Sequence, residues 1–289
     1  MSTTSYEIRV ATREEIDIAI DWAAKEGWNP GLNDAACYYL ADPRGFYVGL
    51  LAGKPIVMAS AIKYGKSFGF VGFYIVKPEY RGKFYGPKMG KFILNQLEGR
   101  IIGIDGVIEK QGNYHKIAGF KFAYRHMRYQ DLAGSNTGKV SVNSGIKPIP
   151  LLSLDFEYIA NYDKAFFPVD RLYFIKSWLS QEGTQSLGVM QNNKLIGYGV
   201  MRPCLSGYKI GPLFADTPIV AETIFCSFKE LLDPLSEIYL DIPEVNGNAC
   251  ALVKKYEMKL VFETARMYKG KVPEISVDRT YGITSFEVG

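Results

Sequence analysis

Histidine and cysteine are scarce in this chain, and their scarcity limits the chemistry available to it. Two histidines among 289 residues exclude a histidine-rich metal site. The four cysteines lie far apart in sequence and form no CxxC or CxxH pair, so the sequence predicts neither structural zinc nor another metal. These residues are His115, His126, Cys37, Cys204, Cys226 and Cys250.

The chain also lacks a strong charge imbalance and a long apolar run. It contains 34 Lys and Arg against 30 Asp and Glu, a formal net charge of +4. This predicts no extended contact with nucleic acid, although a local anion site is allowed. No apolar run reaches the roughly 18 residues that cross a bilayer, so no membrane partner is expected. The first residues, MSTTSYEIRVATREEID, do not resemble a secretory signal, and we expect a cytoplasmic protein with free thiols.

Length and composition predict a globular protein of two domains. Hydrophobic residues make up 47% of the chain, which is ordinary globular usage. A length near twice the roughly 150 residues of a typical domain favours two of them. The composition changes most sharply at AGSNTGKVSVNSGIKPIP, residues 133–150, which is rich in Gly, Ser, Asn and Pro. We therefore predict a first domain over 1–132, a linker over 133–149 and a second domain over 150–289.

Hydrophobic periodicity predicts the same order of elements in both halves. After a short strand at 6–10, the first half is predicted to contain two helices and three strands, followed by helix, strand, helix and strand. The second half repeats that order, beginning with helices over 161–167 and 170–179. The sequence therefore indicates an internal structural repeat without obvious sequence identity.

The segment FYIVKPEYRGKFYGPKMG, residues 73–90, carries the clearest chemical signal. An apolar strand ends at Val76, and a turn containing Arg81, Gly82 and Lys83 leads directly into a helix. Unpaired N–H groups in the first turn of a helix attract anions, and glycine lets a phosphate approach the backbone. The pattern suits a pyrophosphate-containing cofactor, although a solvated basic turn would have the same composition. The GxxxxGK(S/T) and GxGxxG motifs are missing, so neither a P-loop ATPase nor a Rossmann dehydrogenase is indicated.

The same segment resembles the acyl-CoA pyrophosphate loop of the GCN5-related N-acetyltransferase (GNAT) superfamily. The family pattern is V-x-P-x-x-(R/Q)-x-x-G-x-(G/A) between a strand and a helix, and Val76, Pro78, Arg81 and Gly86 match it. Phe84 stands at the position of the middle glycine. The resemblance implies that acetyl-CoA, or another acyl-CoA, is the co-substrate and is bound by one continuous stretch: Tyr74, Ile75, Val76, Arg81, Gly82, Lys83, Phe84, Tyr85 and Gly86.

Downstream motifs extend the resemblance over nearly the whole chain. The ending HKIAGF, residues 115–120, is similar to the Y-x-x-x-G-F that closes a helix after the fifth strand of the family. His115 falls on the position of the family's tyrosine near the CoA sulfur, and Tyr114 is one residue earlier. In the second half, residues 241–249 resemble the same junction, but residues 211–216 lack the pyrophosphate loop. An intact half beside a degenerate one resembles the bacterial tandem acetyltransferases of the YitH/HolE type.

The resemblance implies an α/β (α+β) fold with two tandem GNAT-like domains, each a mixed, mostly antiparallel sheet flanked by helices. It also implies an enzyme that moves an acetyl group to a primary amine of a small molecule by direct attack on the thioester. Backbone N–H groups at the end of the central strand would polarise the carbonyl. The candidate proton-transfer residues are Tyr114, His115, Asp105 and Tyr74. For Asp105, capping of the next helix is the competing interpretation.

The acceptor pocket is expected where the second domain faces the first. Its candidate residues are polar or amphipathic groups in otherwise apolar surroundings: Trp28, Asn29, Arg202, Tyr208, Asp241 and Arg266. Arg202 and Arg266 would hold a carboxylate if the acceptor is an anion. A structural pair between Asp241 and an arginine is the competing interpretation, as is a buried anchoring role for Trp28.

Two other functions are compatible with the sequence. Phe84 and the missing second loop allow a non-catalytic module that senses an acyl-CoA or a metabolite. An open acceptor groove would instead permit a protein lysine acetyltransferase. The oligomeric state stays open between a monomer and a homodimer.

Overall fold

The computed structural model describes residues 5–136 and 146–289, so residues 137–145 of the predicted linker lie outside the described residues. The elements of the first half are β1 (Tyr6–Val10), α1 (Arg13–Lys25), α2 (Asp34–Ala41), β2 (Phe46–Leu51), β3 (Lys54–Tyr64), β4 (Phe68–Val76), α3 (Tyr85–Gln96), β5 (Ile101–Val107), α4 (Gln111–Ala118) and β6 (Lys121–Leu132). The predicted order is therefore found throughout this half. Its first helix begins at a capping box, in which the Thr12 hydroxyl accepts from the Glu15 N–H and the Glu15 carboxylate accepts from the Thr12 N–H.

The second half contains the predicted elements and two strands that the sequence did not indicate. Its elements are β7 (Ile149–Pro150), α5 (Phe156–Asp163), α6 (Leu172–Ser180), β8 (Gln185–Gln191), β9 (Lys194–Pro203), β10 (Tyr208–Ala215), α7 (Pro218–Glu230), β11 (Glu237–Pro243), α8 (Gly247–Lys255), β12 (Lys259–Lys269) and β13 (Thr280–Gly282). The helix predicted over 161–167 is wrong in its bounds. It ends at Asp163, and Phe166 beyond it stacks on Phe214 with ring centroids 4.0 Å apart.

All the strands belong to one sheet in which each half receives a strand from the other. The order is β1-β2-β3-β4-β5-β12-β6-β11-β10-β9-β8-β7, and β13 pairs with β10. Thus β12 of the second half pairs with β5 of the first, while β6 of the first half pairs with β11 of the second. The domain boundaries stay a prediction. The strands of the two predicted domains nevertheless pair with one another in a single continuous sheet.

The largest hydrophobic core is shared between the halves. Trp22, Tyr38 and Phe73 from the first half pack in one buried cluster with Phe174 and Trp178 from the second. Two smaller cores lie under α3 in the first half and under α7 and α8 in the second. No helix of the described residues is both long and apolar enough to cross a membrane.

Residues 281–289, which we call the strap, run through the interior between the halves. Every one of them is buried. The strap begins in β13 and continues past β11, where the Ile283 N–H donates to the Asp241 carbonyl over 2.8 Å. It ends against β3 and β4 of the first half, where the Tyr64 hydroxyl of β3 donates to the Val288 carbonyl over 2.8 Å and the Glu287 carbonyl lies against Gly72 of β4. The second half therefore extends a segment into the centre of the first.

Candidate active site

The central strands of the first half separate at the middle of the sheet. The parallel pairing of β4 with β5 runs from Phe68↔Ile101 to Val71↔Ile104, and the described residues show no pairing beyond it. Phe73 then adopts a left-handed conformation with φ of 47°, within a register shift against β3. The opening between the ends of β4 and β5 leaves backbone groups free to bind a ligand, because the strand that would satisfy them is absent there.

The loop after β4 leads into a helix whose first turn is uncapped, and its role as an anion site stays a prediction. Gly82 and Phe84 both take left-handed backbone conformations, with φ of 77° and 64°, and α3 begins at the next residue without a side-chain cap. The N–H groups of its first turn are therefore available to an anion, as is the positive end of the helix dipole. Phe84 is 75% exposed, so its ring points away from the loop and does not fill it.

The basic residues of the loop have partners within the protein. The Arg81 guanidinium pairs with Glu26 at the end of α1, and its Nε donates to the Val76 carbonyl over 2.9 Å. The Lys83 ammonium lies 5.5 Å from the centre of the Tyr80 ring. Arg81 is still half-exposed in its side chain, so both cations border the first turn of α3. Their contact with phosphate stays a prediction.

Two partly buried phenols border the opening on the side of α3 and α4. The Tyr74 hydroxyl approaches α3 at Gly86, where an added Cβ would lie 3.0 Å from it. The Tyr114 ring lies so close to Gly106 of β5 that no larger residue fits there. Burial raises the pKa of Tyr74 to about 12 and also raises the pKa of Tyr114. Both hydroxyls therefore stay protonated at neutral pH and can donate a proton but cannot act as bases.

His115 is placed differently from its neighbour. It lies on the exposed side of α4, and its Nδ1 contacts the Phe120 carbonyl over 2.9 Å at the end of that helix. Of the two acid candidates, the structure therefore brings only Tyr114 to the opening.

Asp105 occupies a buried ion pair and caps no helix. It lies within β5, and the Arg266 guanidinium of β12 donates to it twice, over 2.8 and 2.6 Å. His126 of β6 donates from Nδ1 over 2.9 Å, since a carboxylate can only accept. Although burial opposes ionisation, these partners lower the pKa of Asp105 to about 2. So weak a base takes no proton at neutral pH, and we withdraw the candidate base role together with the capping interpretation.

We expect stability to fall as the pH is lowered from 7 to 5. Burial lowers the pKa of His126, against an ordinary value of about 6.5, despite the nearby Asp105 and Asp241 carboxylates and with help from Arg266. Below about pH 6.5 the unfolded chain therefore binds a proton that the folded chain rejects, so unfolding is favoured. The Asp105 contribution is lost only at a lower pH, as its own carboxyl is protonated. His126→Gln should flatten this dependence in urea unfolding at pH 7 and pH 5, and an unchanged slope would contradict it.

The arginines expected in the acceptor pocket are engaged elsewhere. The Arg202 Nε donates to Asp34 over 2.8 Å, both groups being fully buried, and Arg266 holds Asp105. Asp241 receives two hydrogen bonds from Arg128, over 2.6 and 2.8 Å. These contacts agree with the structural interpretation of Asp241 and place Arg202 and Arg266 in buried ion pairs, although one terminal nitrogen of Arg202 has no hydrogen-bond partner among the described residues.

The turn at Trp28 and Asn29, which was expected in the acceptor pocket, is hydrogen-bonded to the second half. The Asn29 amide donates to the Ser206 carbonyl and its oxygen accepts from the Ser206 N–H, each over 2.9 Å. The Trp28 carbonyl accepts from Arg128 over 2.7 Å, and its partly buried ring packs on the shared core. Tyr208 packs instead against the core of the second half, away from this turn.

A groove of about 680 Å³ lies beside this turn. Its walls combine apolar and polar residues from both halves: Ala24, Gly27, Asn29, Arg128, Gln130, Leu205, Ser206, Tyr239, Val261 and Phe262. Phe262 lies two residues before Thr264, which pairs with Val107 at the end of β5. At about 3.3 Å per residue along a strand, the floor of the groove therefore begins close to the opening. Of the residues predicted for the acceptor pocket, Asn29 lines this groove; the other walls come from distant segments that the sequence did not single out.

In the second half, β13 occupies the place that corresponds to the opening between β4 and β5. The parallel pairing of β10 with β11 ends at Ile210↔Leu240, and β13 then pairs with β10 at Leu213 and Phe214. The helix that follows, α7, is capped by the Thr217 hydroxyl, which accepts from the Val220 N–H. Among the described residues, the second half therefore lacks the opening found in the first, and its α7 has the side-chain cap that α3 is without.

The cysteines and acidic residues suggest no further chemistry. The four thiols are free, and burial raises the pKa of Cys37 to about 11 and raises that of Cys204, Cys226 and Cys250. Such thiols are poor nucleophiles. Among the described residues, no group of three or more His, Cys, Asp or Glu side chains is arranged to hold a metal ion.

Comparison with known sequences identifies a domain and a relative. Residues 159–282 match the family model of an acetyltransferase (GNAT) domain. The holothin acyltransferase of Pseudoalteromonas sp. (strain SANK 73390) is 29% identical over 279 residues, which cover 96% of this chain and 93% of that protein. The family model matches the second half, which lacks the predicted pyrophosphate loop. This half therefore keeps sequence features of the family without that loop.

Comparison with solved structures confirms the predicted fold. A protein from Pyrococcus horikoshii assigned as an acetyltransferase superposes with a TM-score of 0.81 at 24% identity, over 100% of this chain and 98% of its own. A tandem GNAT protein from the clavulanic acid biosynthesis pathway superposes with a TM-score of 0.65 at 10% identity, over 93% of this chain and all of its own. The tandem GNAT arrangement is therefore shared along the whole length of the chain.

Proposed function

We propose that this chain, which contains a match to an acetyltransferase (GNAT) domain and resembles a known acyltransferase over 96% of its length, moves an acetyl group from acetyl-CoA to a primary amine of a small molecule. The reaction takes place in the first half. One contrast supports this choice: β4 and β5 separate beside an uncapped α3, whereas β13 fills the corresponding place beside the capped α7.

The loop residues suit the pyrophosphate of acetyl-CoA. The backbone from Gly82 to Gly86 presents the first-turn N–H groups, and Arg81 and Lys83 add positive charge at its border. Gly86 is buried against Tyr74 and Val76, so glycine at this position lets the first turn of α3 pack closely on the end of β4. In this arrangement the rest of the ligand runs along β4 towards the opening at Phe73.

Acyl transfer then needs three further contributions. The register assigns Phe73 and Tyr74 no partner on β3 or β5 among the described residues, so backbone N–H groups there can polarise the thioester carbonyl. As the amine nitrogen bonds to the carbonyl carbon and the C–S bond breaks, the Tyr114 hydroxyl protonates the thiolate. The amine loses its proton to water. Holding both reactants together is worth about 7–11 kcal/mol, so a strong protein base is not required.

The groove beside Asn29 is the proposed acceptor site. Gly27 and Asn29, in the turn after α1, line the groove. Glu26 at the start of the same turn pairs with Arg81, so the groove lies next to the loop that would hold the ligand's phosphates. Leu205 and Ser206 of the second half form one wall, which narrows the approach and favours a small amine over a lysine on a protein surface. The similarity to a holothin acyltransferase over 96% of the chain supports acyl transfer as the reaction class.

We expect one acetyl-CoA to bind per chain. Calorimetry with acetyl-CoA should give a stoichiometry near one, because only the first half has the open cleft. Ligand at about 100 times its dissociation constant should raise stability by roughly 2.7 kcal/mol, seen as a higher melting temperature. Thiol release from acetyl-CoA, measured with benzylamine, tryptamine, spermidine, glycine and a lysine peptide, then tests turnover and acceptor class.

Each departure from this result has a distinct meaning. Two molecules per chain would contradict the filling of the second cleft by β13. Binding without thiol release from any amine would favour an acyl-CoA sensor, and release with the lysine peptide alone would favour a protein acetyltransferase. An absence of binding would overturn the proposed function.

A further inference from the structure

The strap of the second half is packed directly on the acyl-binding region of the first. The Glu287 carbonyl lies against Gly72 of β4, so close that a Cβ at position 72 has no room. Gly289 lies beside the Phe70 ring, where its own added Cβ would come within 2.9 Å. Residues 287–289 therefore run alongside the stretch of β4 that leads into the Phe73 bulge.

The bulge itself needs support from its surroundings. A bulky residue with φ of 47° is held in a strained conformation that persists only when neighbouring groups impose it. The Gly72 N–H is turned towards the Ser60 hydroxyl, 3.0 Å away, and the Phe73 ring is fully buried against Tyr38 with ring centroids 5.5 Å apart. Tyr38 and the strap thus enclose the bulge from two sides.

The Glu287 side chain connects these two supports. Its Oε2 accepts from the Ser285 hydroxyl over 2.6 Å and lies 3.1 Å from the Tyr38 hydroxyl. The Glu287 N–H donates to the Ser285 oxygen over 2.9 Å, which closes a tight turn in the strap. The Tyr38 hydroxyl also lies 3.1 Å from Asp34, whose charge is balanced by Arg202.

We propose that Glu287 is a positioning residue for acyl transfer: through Ser285 and Tyr38 it fixes the strap against Gly72 and so holds the Phe73 bulge in its transfer geometry. This inference rests on the proposed function and gives the second half a part in the reaction without a cofactor of its own. Loss of the Glu287 contacts would let Phe73 relax towards ordinary strand geometry and move the backbone groups that face the thioester.

The test compares Glu287→Ala with Glu287→Gln. A misplacement of about 1 Å at a reacting centre can cost about 100-fold in rate, so kcat for Glu287→Ala should fall between about 10-fold and 100-fold. Glu287→Gln keeps an oxygen that accepts from Ser285 and Tyr38, so its kcat should stay within about three-fold of the unmodified protein. The dissociation constant for CoA should not change in either variant. Rates are measured as thiol release from acetyl-CoA, with the fastest amine of the panel and with water alone.

A matched control is available in the second half. Glu222 of α7 likewise accepts from a tyrosine hydroxyl, that of Tyr256, over 2.7 Å, but lies away from β4. Glu222→Ala should leave kcat unchanged. If Glu287→Ala does not fold, Tyr38→Phe replaces it, since it keeps the ring on Phe73 and removes only the hydroxyl; a several-fold fall in kcat is expected.

Three outcomes would overturn the proposal. These are a normal kcat in folded Glu287→Ala, or in Tyr38→Phe where that variant replaces it; an equal loss in Glu222→Ala; and a loss of CoA binding that accounts for the whole effect. The proposed function would fail separately, through the absence of acetyl-CoA binding or of thiol release in the unmodified protein.

Discussion

Gly86→Glu should abolish acetyl-CoA binding, with at least about a 100-fold rise in the dissociation constant measured by calorimetry. The new side chain begins 3.0 Å from the Tyr74 hydroxyl and 3.2 Å from Val76, so it must turn towards the first-turn N–H groups of α3. There its carboxylate satisfies those donors and repels the ligand's phosphates. Placing like charges together costs several kcal/mol, and a 100-fold change corresponds to about 2.7 kcal/mol.

Gly247→Glu is the matched control for this substitution. Gly247 is also in the first turn of a helix, α8, and an added Cβ there meets no atom within 4 Å. A carboxylate at this position suits the helix dipole and lies in the half whose cleft is filled. We expect unchanged acetyl-CoA affinity. Weakening of equal size in both variants, or in neither, would refute the assignment of the loop at 81–86.

Arg266→Met should destabilise the protein by about 3–5 kcal/mol, the cost of removing one partner from a buried ion pair. Asp105 has a fully buried side chain and would keep only His126 as a partner. The double variant with Asp105→Leu should recover much of the loss, because the unpaired charge is then removed. Urea unfolding at pH 7 measures both variants.

Arg125 provides the comparison for Arg266. It pairs with Glu263 across the neighbouring pair of strands, β6 and β12, at 3.4 Å, but the two side chains are 44% and 33% exposed. An exposed pair contributes about 0–1 kcal/mol, so Arg125→Met should have little effect. Similar losses at the two positions would mean that the Asp105 pair is no more important to stability than a surface contact.

The sequence could predict what is local. Helix and strand periods, the Thr12 capping box and the turn before α3 depend on residues close together in the chain, and the order of the elements is as predicted although the bounds of the helix at 156–163 are not. The anion loop was visible for the same reason, since its strand, glycine and helix are continuous from Val76 to Gly86.

Contacts between residues far apart in the chain could not be predicted from the sequence. Asp105 and Arg266 are 161 positions apart, and nothing near Asp105 distinguishes a buried ion-pair partner from a helix cap or a base. Arg202 was likewise assigned to a pocket because its partner, Asp34, lies 168 residues away. The strap was noticed as a tail motif, but its three-residue strand β13 is too short for a periodic pattern. Its position against Gly72 follows only from the packing of the whole molecule.

The exchange of β6 and β12 bears on how the chain reaches its active form. The neighbour of β5 in the sheet, β12, lies more than 150 positions later in the chain. Pairing over such a separation slows folding, because a long loop must close first. During synthesis the first half emerges early, yet its sheet lacks a neighbour for β5 until β12 and the strap have followed. The loop proposed to bind the phosphates can therefore form early, whereas the opening proposed to bind the acyl group is complete only when the second half has folded onto it.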